Sequence, residues 1–141
     1  AVSLWVLMNP ESRTMVLPEK SGIVLNGILR GNELMLPSSI VPKTLSSSVL
    51  RKVRYSQLDR NGHMNNTCYL DWVSDLLPKE FHRAHPMQSF SVCYLSECLE
   101  NQEITLNWQI LEGDCLQVEG LRPRSDNPKK QDRVFAAQVY F

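Results

Sequence analysis

The sequence predicts an α+β domain in which a curled antiparallel sheet wraps around one central helix. Three observations carry that expectation. One helical stretch starts at Asn65 or Asn66, runs to about Leu77, and meets Pro78. A strand-like stretch over residues 49–55 precedes it, and four more follow over residues 87–98, 103–112, 115–121 and 134–141. A strand, a helix and then a run of strands is the segregated order of an α+β domain.

Residues 1–8 (AVSLWVLM) form an apolar strand candidate, ended by the turn signal Asn9-Pro10. Residues 14–17 extend it or pair with it. Residues 18–48 hold three Pro, three Gly and a Ser46-Ser47-Ser48 run around short apolar pieces, so they read as a connector with one short element near residues 22–29. In residues 49–55, Val49, Arg51, Val53 and Tyr55 alternate with Leu50, Lys52 and Arg54, the period of a half-exposed strand. Residues 58–64 form a Gly-containing loop. In the helix that follows, Tyr69, Leu70, Trp72, Val73, Leu76 and Leu77 give a broad apolar face, with Asp71 and Asp75 on the wet side. A face that wide suits a helix wrapped by a sheet. Glu112-Gly113-Asp114 signals a tight hairpin, and the polar stretch 122–132 reads as a mobile loop. His82 and His85 fall in a polar loop and read as surface, while Trp5, Trp72 and Trp108 read as core or interface.

Composition narrows the function classes. The 141 residues suffice for one domain with a real core. Lys plus Arg equals Asp plus Glu at 15 each, and the basic residues are scattered, which argues against a nucleic-acid partner. Cys68, Cys93, Cys98 and Cys115 have no metal-ligand spacing and no disulfide-framework pattern, so no metal is expected and free thiols in a cytoplasmic setting are the simpler reading. No apolar run approaches the length that spans a bilayer, and no membrane role is expected. The chain starts on Ala1 and runs directly into an apolar strand, the pattern expected of a piece of something longer.

The chemistry concentrates in Leu58-Asp59-Arg60-Asn61-Gly62-His63-Met64-Asn65-Asn66. A carboxylate can orient or deprotonate a neighbour, and an imidazole can move a proton near neutral pH. Asn61 can hold a water or an oxyanion. The backbone N–H groups of Met64 to Asn66 are expected to be unsatisfied at the helix start, at the positive end of its dipole.

This loop, followed by Tyr69-Leu70-Asp71-Trp72, resembles the signature of acyl-acyl-carrier-protein thioesterases of plants and bacteria. Tyr94-Leu95-Ser96-Glu97-Cys98 resembles a second family element, Tyr-x-x-Glu-Cys. Ser3-Leu4-Trp5-Val6-Leu7-Met8-Asn9-Pro10-Glu11-Ser12-Arg13 is similar to the strand closing the first hotdog domain of these two-hotdog proteins. The sequence departs from the family where Leu95 and Ser96 replace frequent Arg residues and Leu99 replaces a Gly.

The resemblance implies a hotdog fold, with residues 1–17 as terminal strands of an N-terminal hotdog, 18–48 as linker and 49–141 as the C-terminal hotdog. It implies Asp59, Asn61, His63 and Glu97 as the catalytic set, with Cys98 as the nucleophile of a competing scheme. Met64, Asn65, Asn66, Tyr69 and Trp72 are the candidate substrate contacts. If 87–98 is one regular strand, Glu97 and Cys98 face opposite sides unless a bulge intervenes, and Cys98 shares the core face of Phe90, Val92 and Tyr94. Water attack is therefore the preferred scheme. The implied reaction is hydrolysis of a fatty acyl thioester on acyl carrier protein, with no cofactor, ending fatty acid synthesis. The rivals are a single-hotdog acyl-CoA thioesterase of the 4-hydroxybenzoyl-CoA type and a non-catalytic acyl-binding or dimerisation module. A lone hotdog leaves a sheet edge open, so a homodimer or pairing with an N-terminal hotdog is expected.

Overall fold

The computed structural model describes residues 2–12, 14–22 and 37–141, which fall into two compact units divided between Ser38 and Ser39. The short element expected near residues 22–29 lies outside the described residues, apart from Gly22 itself.

The first unit holds a small antiparallel pair, β1 (Leu7–Met8) and β2 (Met15–Val16), followed by a 3-10 turn at Pro18–Lys20. The strand expected over residues 1–8 is therefore two residues long. Asn9 closes the turn between the strands, its Oδ1 accepting the N–H groups of Glu11 and Ser12. Trp5, expected in a core or interface, is 81% exposed here.

The second unit contains a five-stranded antiparallel sheet: β3 (Ser47–Lys52), β4 (Ser89–Tyr94), β5 (Glu103–Leu111), β6 (Cys115–Pro123) and β7 (Gln131–Tyr140), in the order β3-β5-β6-β7-β4. Gly113 and Asp114 both take positive φ in the connection between β5 and β6, as the expected hairpin requires. The expected loop over 122–132 is shorter than that stretch. Arg122 pairs with Asp132 and Pro123 with Gln131, and the connection is closed by the Arg124 N–H on the Lys130 carbonyl.

One helix, α1 (Asn66–Ser74), contributes Tyr69, Trp72 and Val73 to the core beside Leu106, Leu116, Val118, Phe135 and Val139 of the sheet. Burying each such side chain contributes about 1.5–3 kcal/mol. Leu70, expected on the buried face, is exposed. The helix also ends three residues before the expected Leu77. Leu76 and Leu77 donate to Val73 and Ser74 in a tightened last turn, and Pro78 begins a second helix, α2 (Lys79–Ala84). Proline is tolerated there because a first-turn N–H has no helical partner to lose. His82 is thus helical, its Nε2 2.9 Å from the Ser74 carbonyl oxygen, and only partly exposed.

Two details of the sheet position the site. Gly120 faces Phe135 across β6 and β7, and a Cβ at 120 would overlap the Phe135 ring. The missing side chain lets that ring lie 4.8 Å from Tyr69 of α1, edge to face. Next to this pair the register shifts, leaving Val134 as a bulge between Arg133 and Phe135. The Val134 carbonyl accepts both the Leu95 and Ser96 N–H groups, and β4 stops at Tyr94. The regular strand expected to reach residue 98 therefore breaks at 95.

The far side of the sheet is covered by an extended strap at residues 40–46. Its backbone is held by side chains: Gln117 Nε2 to Val41 O (2.9 Å), Lys43 N to Glu119 Oε1 (2.9 Å), Ser46 N to Gln109 Oε1 (3.2 Å) and Arg133 Nη2 to Ile40 O (3.2 Å). Arg133 also pairs with the buried Glu119 at 3.3 Å. These contacts place residues 39–46, part of the expected linker, inside the second compact unit. No helix among the described residues is long and apolar enough to cross a membrane.

Candidate active site

The loop before α1 is locked by its own backbone. Asp59 donates its N–H to His63 O (2.7 Å), and its Oδ1 accepts the N–H groups of Asn61 (2.8 Å) and His63 (3.1 Å). Gly62 closes the turn at φ 77°, a conformation that L side chains resist. Asp59 is thus spent partly on shaping the loop, and Asn61 sits exposed at its tip.

The loop is then stitched to the chain beyond β4. Met64 N–H donates to Cys98 O (2.8 Å), and His63 bridges Leu99. This brings His63 Nε2 to 3.3 Å from Glu97 Oε2, each side chain being 35% exposed. The pair joins groups 34 positions apart in sequence, one from the loop and one from the irregular segment that the Val134 bulge creates.

Cys98 turns the other way, into the core, where it is 1% exposed. Burial raises its thiol pKa above the ordinary 9.0, partly offset by a hydrogen bond from Tyr69 and by the Arg122 charge. Tyr69 is likewise raised, first by burial and then by that hydrogen bond to Cys98. Cys98 is buried while Glu97 is half-exposed, the opposite placement expected, although the chain has left the regular strand at Tyr94 before either residue.

The helix start is more heavily used than expected. Met64 and Asn65 N–H groups are both bonded, the latter to Gln57 O (2.8 Å). The Asn65 side chain caps α1 by accepting from Thr67 N (3.0 Å). Only the Asn66 N–H among these three has no hydrogen-bond partner among the described residues. Tyr94 donates its hydroxyl to Asn66 O (3.1 Å) beside it. Met64, Tyr69 and Trp72 are buried core side chains.

The sequence model of the acyl-ACP thioesterase C-terminal domain matches residues 42–134. This chain belongs to the acyl-ACP thioesterase family. It is 29% identical over 104 residues to the chloroplastic dodecanoyl-acyl-carrier-protein hydrolase of Cinnamomum camphora, covering 68% of this chain and 27% of that protein. It is 26% identical over 117 residues to the chloroplastic oleoyl-acyl carrier protein thioesterase 1 of Arabidopsis thaliana, covering 74% and 32%. The family chain thus spans about a third or less of the length of these relatives. Its structure is similar to that of an acyl-ACP thioesterase from Bacteroides thetaiotaomicron, with a TM-score of 0.76 and 22% identity over 95% of this chain and 52% of that one. A 12:0-ACP thioesterase from Umbellularia californica gives a TM-score of 0.64 at 20% identity, over 94% and 52%. The fold is the expected hotdog.

Sequence reasoning misses two residues around this family loop, Arg122 and Gln102, which bind the segment carrying Glu97. Nothing in their spacing connects them to it; the β5–β6 pairing and the loop before β5 do.

Proposed function

We propose that the chain hydrolyses fatty acyl thioesters carried on acyl carrier protein, releasing the free fatty acid. Beyond membership of the family, the observation that carries this reading is the 3.3 Å contact of His63 Nε2 with Glu97 Oε2 beside the start of α1.

In the proposed reaction this pair removes a proton from a water whose oxygen attacks the thioester carbonyl carbon. The developing oxyanion takes the Asn66 N–H, which has a favourable dipole behind it. The C–S bond then breaks, and His63 returns the proton to the departing thiolate. Asp59 holds the loop that presents His63, and Asn61 at the tip can bind the water. Tyr69 and Trp72 are buried in the core, so their proposed part is to pack α1 behind the site and not to touch the acyl chain. The buried, protonated Cys98 thiol supports a spectator role for that residue. We further propose that residues 1–17 are terminal strands of a preceding hotdog unit, that the chain from residue 18 to the strap links it to the hotdog described here, and that pairing of the two hotdogs completes the site.

The test is release of fatty acid from matched acyl-carrier-protein and acyl-CoA substrates. Faster turnover on the carrier protein is expected. Comparable rates on acyl-CoA would favour the single-hotdog acyl-CoA reading, and binding without turnover would favour an acyl-binding module. In the same assay Cys98→Ala is expected to stay within about threefold of the parent, whereas removal of a true nucleophile would cost orders of magnitude. A covalent acyl group trapped on Cys98 would overturn the water-attack scheme.

A further inference from the structure

The segment that carries Glu97 is tied to the sheet by Ser96 N–H on Val134 O and to the loop before α1 by Met64 N–H on Cys98 O, and Glu97 lies between those two bonds. β4 ends at Tyr94, and between Ser96 and Cys98 no residue belongs to a strand. A carboxylate on such a segment would ordinarily sample several positions, and a misplacement of about 1 Å is enough to cost roughly a hundredfold in rate.

The half-buried guanidinium of Arg122, near the end of β6, reaches three points of this segment at once. Its Nη1 donates to Glu97 O at 2.8 Å and to Gln102 Oε1 at 3.0 Å, and its Nη2 donates to Ser96 Oγ at 2.7 Å. The same Gln102 oxygen accepts the Leu99 N–H at 3.0 Å. The Gln102 carbonyl accepts Val53 N–H at 3.0 Å, and Asn101 N–H returns a bond to Val53 O at 2.9 Å. One planar fork therefore ties both ends of the turn from 96 to 102 to the body of the sheet. Planar forks lose little freedom per bond formed, which suits arginine to this task and lysine less.

We propose that Arg122 is the positioning residue of the site, holding the Glu97 carboxylate against His63 through the backbone and neighbours of Glu97. Arg122 acts through Glu97 and need not touch substrate. The proposal rests on the hydrolase reading for its kinetic consequence but not for its structural one, so it is tested in two arms.

The first arm needs no substrate. In isotope-labelled full chain, proximity of the His63 ring protons to the Glu97 side-chain protons is read by the nuclear Overhauser effect. Arg122→Gln is expected to abolish that cross-peak while the cross-peak between Tyr69 and Phe135 persists. The second arm is kinetic, on acyl-carrier-protein substrate. Arg122→Gln is expected to lower kcat about a hundredfold with KM within about twofold. The Arg122→Gln/Glu97→Gln double variant is expected to be no slower than Glu97→Gln alone, because both remove the same interaction.

A retained cross-peak, or losses that multiply in the double variant, would overturn the proposal. If Arg122→Gln does not fold, Ser96→Ala with Gln102→Leu removes two of the three acceptors from the other side and carries the same expectations. A chain that hydrolyses neither thioester would sink the hydrolase reading, and the first arm would still decide the role of Arg122.

Discussion

Asp59 gives one carboxylate oxygen to two amides of its own turn, so its contribution can be separated from general acid–base chemistry. An amide oxygen accepts the same two bonds. Asp59→Asn is therefore expected to keep activity within about tenfold of the parent, whereas Asp59→Ala loses about a hundredfold or more, the range of a lost proton-transfer group or a displaced one. Steady-state rates of the two variants check this. Equal, severe losses would mean that the carboxylate charge itself takes part. His63 and Glu97 differ in kind from Asp59, because each presents a ring or carboxylate atom to the other.

At the scale of elements, the β6–β7 pair sets the geometry of everything above it. Gly120 makes room for Phe135, Phe135 seats Tyr69, and the adjacent bulge at Val134 ends β4 and frees the Glu97 segment. Gly120→Ala is expected to destabilise the fold by about 1–3 kcal/mol, the cost of overpacking a filled core. Denaturant unfolding measures it, and an unchanged midpoint would show that the ring can move. The start of α1 was legible in the sequence because a cap is local chemistry: Asn65 and Thr67 lie two apart and bond directly. The loop around Gly62 was legible for the same reason. The bulge was not, because it depends on how Gly120 and Phe135 meet across strands. The end of α1 was misread because Pro78 is equally compatible with stopping one helix and opening the next.

For the whole molecule, two neutral groups share the core, and their ionisation couples to folding. Burial raises both Cys98 and Tyr69 above their ordinary values of 9.0 and 10.0. Below those values both are protonated in the folded and unfolded chains alike, and the favourable contribution is intact. As pH rises through them the unfolded chain ionises while the folded one does not, so stability falls. Thermal melts are expected to shift downward above pH 9, and Tyr69→Phe should flatten the part of that decline above pH 10. A melting temperature constant to pH 11 would contradict the coupling. The order of the sheet was legible at this scale only as a run of strands. The order β3-β5-β6-β7-β4 arises from long-range pairing that no local pattern encodes.

The strap over residues 40–46 has a consequence in time as well as in space. Its anchors lie far along the chain: Lys43 waits on Glu119 and Val41 on Gln117, each 76 positions later, and Ile40 on Arg133, 93 positions later. Contacts this distant close slowly, because loop entropy must be lost before they form. During synthesis the strap leaves the ribosome before any of its partners exist, and its Ile40 end must wait for Arg133 on β7. Until the strap docks, Gln109, Gln117 and Glu119 lack the backbone partners that it brings to them.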